Sequence, residues 1–194
     1  QHVISEELAI DPPVAIRDAR DSYGNLAKRV VFPTGRTTVE SSAVVDTADE
    51  IDVDVTVPRA DISEVPDWVI EFTLPSRYCE SDTLGSWAME ITSGLMPGYP
   101  QVDAIRVWIH DHLRYEYGTS APTTSARETL ASGAGVCRDF AHLGIALCRA
   151  LQIPARMVVG YLHELDPMDQ HAWFEAYLGD RWFTFDATQD EPKG

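Results

Sequence analysis

Gly133-Ala134-Gly135-Val136-Cys137-Arg138-Asp139-Phe140-Ala141-His142-Leu143 is the stretch that decides how this chain reads, because two glycines deliver a cysteine to the first turn of a helix. Apolar residues recur at Phe140, Leu143, Gly144, Leu147, Cys148 and Leu151 with a 3.6-residue period, and Pro154 ends the pattern. Cys137 therefore stands at the positive end of the predicted helix, where unpaired N–H groups and the macrodipole favour thiolate over thiol. Its own backbone N–H is also placed to donate to a developing oxyanion. A cysteine near a helix start is more often a small buried hydrophobe than a nucleophile. Catalysis therefore requires partners elsewhere in the chain.

Two aromatic-rich runs supply them. Gln170-His171-Ala172-Trp173-Phe174-Glu175-Ala176-Tyr177-Leu178 and Arg181-Trp182-Phe183-Thr184-Phe185-Asp186-Ala187-Thr188 are separated only by Gly179-Asp180, a two-residue hairpin signal. With that loop, Leu178 pairs with Arg181 and His171 lies opposite Thr188. Asp186 becomes the diagonal neighbour of His171 on the same face, within side-chain reach. A loop longer by one residue would turn one of the two to the other face. A thiol needs a base, and the base needs a third group to fix its tautomer and steady the imidazolium. Cys137, His171 and Asp186 are the residues expected in those roles.

At this point a resemblance becomes specific. Gly135-Val136-Cys137-Arg138-Asp139-Phe140-Ala141, Ile153-Pro154-Ala155-Arg156-Met157-Val158-Val159-Gly160-Tyr161, His171-Ala172-Trp173 and Trp182-Phe183-Thr184-Phe185-Asp186-Ala187-Thr188 resemble, in order, the core blocks of the bacterial transglutaminase-like superfamily. Ser76-Arg77-Tyr78 resembles a further block, expected to be a structural anchor. The resemblance puts the superfamily's Cys, His and Asp on Cys137, His171 and Asp186. It implies an α+β, papain-like fold in which a helix bearing the thiol packs on an antiparallel β-sheet. It also implies acyl transfer through a thioester; no cofactor and no metal are expected. Animal cross-linking members carry Gln-Cys-Trp at the nucleophile, where this chain has Val136-Cys137-Arg138. Hydrolysis of a peptide or side-chain amide, as by a cysteine protease or amidase, is the expected outcome. Transfer of the acyl group to an amine is the alternative, and a silent peptide-binding scaffold is a third reading.

The 194 residues suit one large domain with a smaller appendage. No run is long enough to span a membrane, and the first residues carry no visible export signal. The odd cysteine count, Cys79, Cys137 and Cys148 at irregular spacing, argues for a reducing compartment, with the cytoplasm as the expectation. The chain starts without Met and stops abruptly at Glu191-Pro192-Lys193-Gly194, which reads as a trimmed sequence. Thirty-one acidic against fifteen basic residues give a net charge of −16, which repels phosphate backbones and anionic lipid. A peptide or protein amide is the expected partner, not nucleic acid or membrane.

Residues 1–65 read as a β-rich N-terminal region, truncated at its start, and 66–194 as the catalytic core. Strands are expected at Val3–Leu8, Ala27–Phe32, Ser41–Val45 and Ile51–Val57, the last alternating cleanly between apolar and polar residues. Tyr23-Gly24-Asn25 signals a turn. Asp46, Asp49, Asp52 and Asp54 lack the glycine and closing glutamate of a calcium loop and read as a solvated face. Residues 60–80, with several prolines, are expected to be an extended connector. A short helix is expected over Asp82–Ser93. A stronger one opens at Pro100, stops at Gly118 and ends with Tyr115 and Tyr117, upstream of the nucleophile. His110 and His112, two apart on that helix, point away from each other and do not suit zinc. Ser125-Ala126-Arg127-Glu128 fits a capping box. His142 lies on another azimuth from Cys137 and is not expected to be the base. Cys148 reads as core, Cys79 as inert, 155–161 as a buried strand, and 163–170 as a loop rimming a cleft.

Overall fold

Chain contacts divide the structure, a computed structural model that describes residues 2–47, 52–163, 165–166 and 168–190, into two units, 1–49 and 50–194. In the first unit, β1 (His2–Asp11) pairs antiparallel with a later strand, and β2 (Arg17–Arg20) pairs antiparallel with β3 (Leu26–Arg29). The partner of β1 is β4 (Thr38–Asp46). The turn expected at Tyr23-Gly24-Asn25 is held by the Asp21 carboxylate, which accepts from the N–H groups of Tyr23 and Asn25, each at 2.9 Å. β2, Arg-Asp-Ala-Arg, carries no apolar alternation and leaves no strand signal in the sequence.

The second unit opens with two corrections. The strand expected at Ile51–Val57 is not found over its described part, residues 52–57; Ile51 lies outside the described residues, as do Asp49 of the acidic set and Glu191–Gly194. Asp54 instead accepts from both the N–H and hydroxyl of Thr56, and Val57 N–H turns back to the Asp54 carbonyl. An Asp side chain competing for nearby backbone donors overrides an alternating pattern. The expected connector at 60–80 holds α1 (Asp67–Ile70) and a 3₁₀ turn at Glu71–Thr73, because Val65 and Val69 are buried against Tyr177. Residues 52–65, which the sequence reading groups with the N-terminal strands, lie in this second unit.

A 3₁₀ turn (Ser81–Thr83), α2 (Gly85–Ile91) and α3 (Tyr99–His112) follow. The sequence pattern carries α3 on to Gly118; the helix instead ends at His112, where Leu113 turns extended and β5 (Arg114–Tyr115) leaves the helix axis. α4 (Ala126–Ser132) begins at the expected capping box: Ser125 N–H donates to Glu128 Oε2 at 2.8 Å. It ends at Gly133, whose φ of +63° is the left-handed conformation that favours glycine. β6 (Ala134–Gly135) then pairs in parallel with β5. That pairing pulls Tyr115 off the helix and lays it beside the start of α5 (Cys137–Ala150).

β7 (Ala155–Tyr161), β8 (Gln170–Leu178) and β9 (Arg181–Phe185) form one antiparallel sheet in that order. The burial expected of β7 is only partial: among the described residues it is an outer strand of the sheet, paired with β8, and Val159 and Tyr161 are exposed. Phe140, Leu143, Leu147 and Cys148 of α5 meet Ile105 and Ile109 of α3 and Phe174, Phe183 and Phe185 of the sheet in one core. Burying each of the larger side chains contributes about 1.5–3 kcal/mol. Gly144 fixes how close helix and sheet come: a Cβ there would lie 2.5 Å from Phe174 Cε1. Sequence pattern thus produces the stripe, the stripe docks α5 on the sheet, and the docking fixes where the first residue of α5 sits.

Candidate active site

That first residue is Cys137, and the local chain holds it from both sides. Asp139, fully buried in the first turn, accepts from the Val136 N–H at 2.9 Å and from the Arg138 guanidinium at 3.1 Å. Arg138 also donates to the Ala121 carbonyl at 2.9 Å and to Ser120, tying the loop after β5 to the helix tip. The half-buried Cys137 is thereby kept at the edge of the core.

The opposing groups come from the hairpin. The register is the expected one, with Leu178 opposite Arg181 and Phe174 opposite Phe185. His171 is buried, and its Nε2 lies 2.6 Å from Asp186 Oδ2. The other Asp186 oxygen, Oδ1, accepts from the Thr188 N–H at 2.9 Å and the Thr188 hydroxyl at 2.8 Å. With Nε2 committed to the carboxylate, Nδ1 is the ring nitrogen left for the thiol, and His171 and Cys137 are hydrogen-bonded to each other. The structure therefore brings Cys137, His171 and Asp186 together in one chain of hydrogen bonds.

The electrostatics arise from these contacts. Burial pushes the Cys137 thiol up, but hydrogen bonds from His171, from the Ala172 N–H and from the Tyr115 hydroxyl, with the charge of His171, leave it below its ordinary value. The hydrogen bond to Asp186 and then that to Cys137 raise His171 to about 9, against an opposing desolvation effect. One shift favours thiolate and the other favours imidazolium.

Tyr115 is the neighbour that sequence reasoning misplaced. Its hydroxyl meets both the backbone N–H and the sulfur of Cys137, and burial, with the nearby thiolate, raises its titration well above the ordinary tyrosine value. It therefore stays a neutral hydrogen-bond donor. A signal was present: Arg114-Tyr115-Glu116-Tyr117 alternates with period two, which argues against helix. The hairpin register puts Thr188 opposite His171 but assigns it no role, because only the turn after β9 swings its hydroxyl onto the carboxylate.

The remaining candidates are elsewhere. His142 is buried, stacks on Tyr78 with ring centroids 5.1 Å apart, and is held down to about 4 by desolvation and by Arg138. Tyr78 also accepts from the Ala126 N–H at 2.8 Å, so the Ser76-Arg77-Tyr78 block anchors α4 and α5. Burial raises the thiols of Cys79 and Cys148. His112 stacks on Trp108, and His110 faces the segment after Asp186. Among the described residues, no group of three or more His, Cys, Asp or Glu side chains is gathered as for a metal ion.

Comparison with known proteins identifies the family of the fold. Residues 85–187, just over half of the chain, match the family model described as the transglutaminase-like superfamily. The crystal structure of a candidate cysteine protease from Cytophaga hutchinsonii is similar with a TM-score of 0.80 and 38% identity, covering 97% of this chain and 66% of that one. The periplasmic domain of TgpA from Pseudomonas aeruginosa shares the fold, with a TM-score of 0.54 at 18% identity over 93% of this chain and 64% of that one. An uncharacterised protein of Mycobacterium leprae is 31% identical over 81% of this chain. The chain spans 60% of that relative's length.

Proposed function

The chain belongs to the transglutaminase-like superfamily, and from that premise we propose that it is a thiol acyl-transfer enzyme that hydrolyses peptide or side-chain amide bonds with Cys137, His171 and Asp186. The observation that supports this reading is the continuous hydrogen-bonded set running from the thiol through His171 to Asp186, with Cys137 shifted down and His171 up. The likeness to a candidate cysteine protease at 38% identity supports the protease reading over an inert scaffold.

The cycle starts from thiolate and imidazolium. The Cys137 sulfur attacks the amide carbonyl carbon, a C–S bond forms, and the carbonyl electron pair moves onto oxygen. At rest the Tyr115 hydroxyl accepts from the Cys137 N–H and donates to the sulfur; as the sulfur's charge passes to the carbonyl, both donors are placed to turn to that oxyanion. As the C–N bond breaks, the leaving amine takes the proton from His171 Nδ1. Water then attacks the thioester, giving its proton to His171, and the C–S bond breaks to release a carboxylic acid and the thiolate. Asp186 keeps Nε2 protonated throughout and so directs Nδ1 at the chemistry. An amine in place of water gives the transferase reaction by the same steps.

Incubation with a peptide library in the presence and absence of a primary amine, read by mass spectrometry, tests the reading. New carboxyl termini or deamidated side chains, absent with Cys137→Ala, are expected. Amine incorporation that outcompetes water assigns a transglutaminase instead, and no change to any peptide supports the scaffold. The unpaired thiols favour a cytoplasmic setting. No helix among the described residues is long and apolar enough to cross a membrane.

A further inference from the structure

Asp186 lies one residue beyond the last paired residue of β9, so the sheet ladder does not hold it. The turn C-terminal to it does. Thr188 donates its backbone N–H and its hydroxyl to Asp186 Oδ1, at 2.9 and 2.8 Å, leaving Oδ2 free to face His171. The same hydroxyl oxygen lies 3.3 Å from His171 Nε2 and accepts from Gln189 Nε2 at 3.0 Å. A hydroxyl has one hydrogen, and here it is committed to Asp186. Toward His171 the oxygen can only accept, so both groups facing Nε2 demand that this nitrogen carry the proton.

The turn bearing Thr188 is in turn fixed to α3. The buried Arg106 donates from Nη1 to the carbonyls of Gln189 and Asp190, at 3.1 and 3.3 Å, while its Nε holds Asp103 at 2.8 Å. One turn further along, His110 sets Nδ1 3.3 Å from the Ala187 carbonyl and Nε2 2.8 Å from Asp190 Oδ1. Arg106 and His110 thus clamp residues 187–190, although no strand pairing reaches them.

We infer that Thr188, clamped to α3 by Arg106 and His110, is a positioning residue that aims the Asp186 carboxylate and selects the Nε2–H tautomer of His171. The inference rests on the reading of Cys137, His171 and Asp186 as the reacting set. The contacts that Thr188 makes are with Asp186, His171 and Gln189. It acts through Asp186, and its loss weakens the imidazolium and with it the thiolate.

The test is the pH dependence of iodoacetamide alkylation at Cys137, read by mass spectrometry, in wild type, Thr188→Val, Thr188→Ser and Asp186→Asn. Losing one hydrogen bond to a charged group is expected to slow labelling near neutral pH roughly tenfold in Thr188→Val and to move its profile about one pH unit upward. Thr188→Ser, which keeps the hydroxyl, is expected to restore the wild-type curve. Thr188→Ala serves the same comparison where the valine methyl is not tolerated. Hydroxyl-free variants that superpose on wild type, while Asp186→Asn shifts, would overturn this inference alone. An Asp186→Asn curve that also superposes would overturn the underlying triad.

Discussion

The two ends of α5 carry the same residue in opposite states. Cys137 opens the helix half-buried, and its thiol is drawn down by His171, the Ala172 N–H and Tyr115. Cys148, eleven residues on and near the same azimuth, is fully buried, and its thiol is pushed far up. Helix, residue type and facing direction are shared; the groups brought in by the sheet and by β5 are not. The lowered thiol is therefore assembled by tertiary structure around one end of the helix, and the helix start alone does not create it.

The largest effect that could break this contrast is chemical. At neutral pH, alkylation of the intact protein should label Cys137 faster than Cys148 by roughly a thousandfold or more, since each unit between two thiol pKa values is tenfold in thiolate. Comparable labelling of both in native protein would erase the distinction. Next comes the carboxylate. Asp186→Asn should lower amide turnover by about 10²–10⁴, with the fold intact by circular dichroism. It should also move the basic limb of the rate profile to lower pH, because His171 no longer reaches about 9. The sign comes from its role: imidazolium donates to the leaving amine, so turnover falls as pH rises through that value. A basic limb unmoved by the substitution would detach His171 from Asp186.

How much of this was legible depended on the range of the determining interaction. The α5 stripe and the Gly179-Asp180 hairpin are local, so the position of Cys137 and the register that pairs His171 with Asp186 could be read directly. Tyr115 was legible only through the short Arg114–Tyr117 alternation, because the end of α3 is set by a parallel pairing with Ala134-Gly135, twenty residues away in sequence. Over its described part, 52–57, the expected strand failed for a local reason: one Asp side chain closes a turn that outweighs the alternating Val53, Val55 and Val57. The roles of Arg106 and His110 were hidden in a helix whose pattern records only its core face.

Smaller predictions sharpen the contrast between the helix ends. Cys148→Ser should cost about 1–3 kcal/mol in chemical denaturation by burying a hydroxyl at a fully apolar site, with turnover per folded molecule unchanged. Cys137→Ser should do the reverse, abolishing turnover with little change in stability. His142 gives the subtlest effect. It is neutral in the fold, so its contribution is full above its unfolded value of 6.5 and is lost as pH falls toward about 4. His142→Phe, which keeps a ring on Tyr78, should flatten that acid limb by up to about 3 kcal/mol. Identical acid denaturation profiles for the two proteins would remove His142 from the account.

The ultraviolet absorption of thiolate, recorded against pH as wild type minus Cys137→Ser, tests the central claim most directly. The account predicts a thiolate signal that is already present at neutral pH, titrates below the ordinary cysteine range, and moves upward in His171→Ala. A Cys137 thiolate that appears only at or above the ordinary cysteine value, with or without His171, would contradict it.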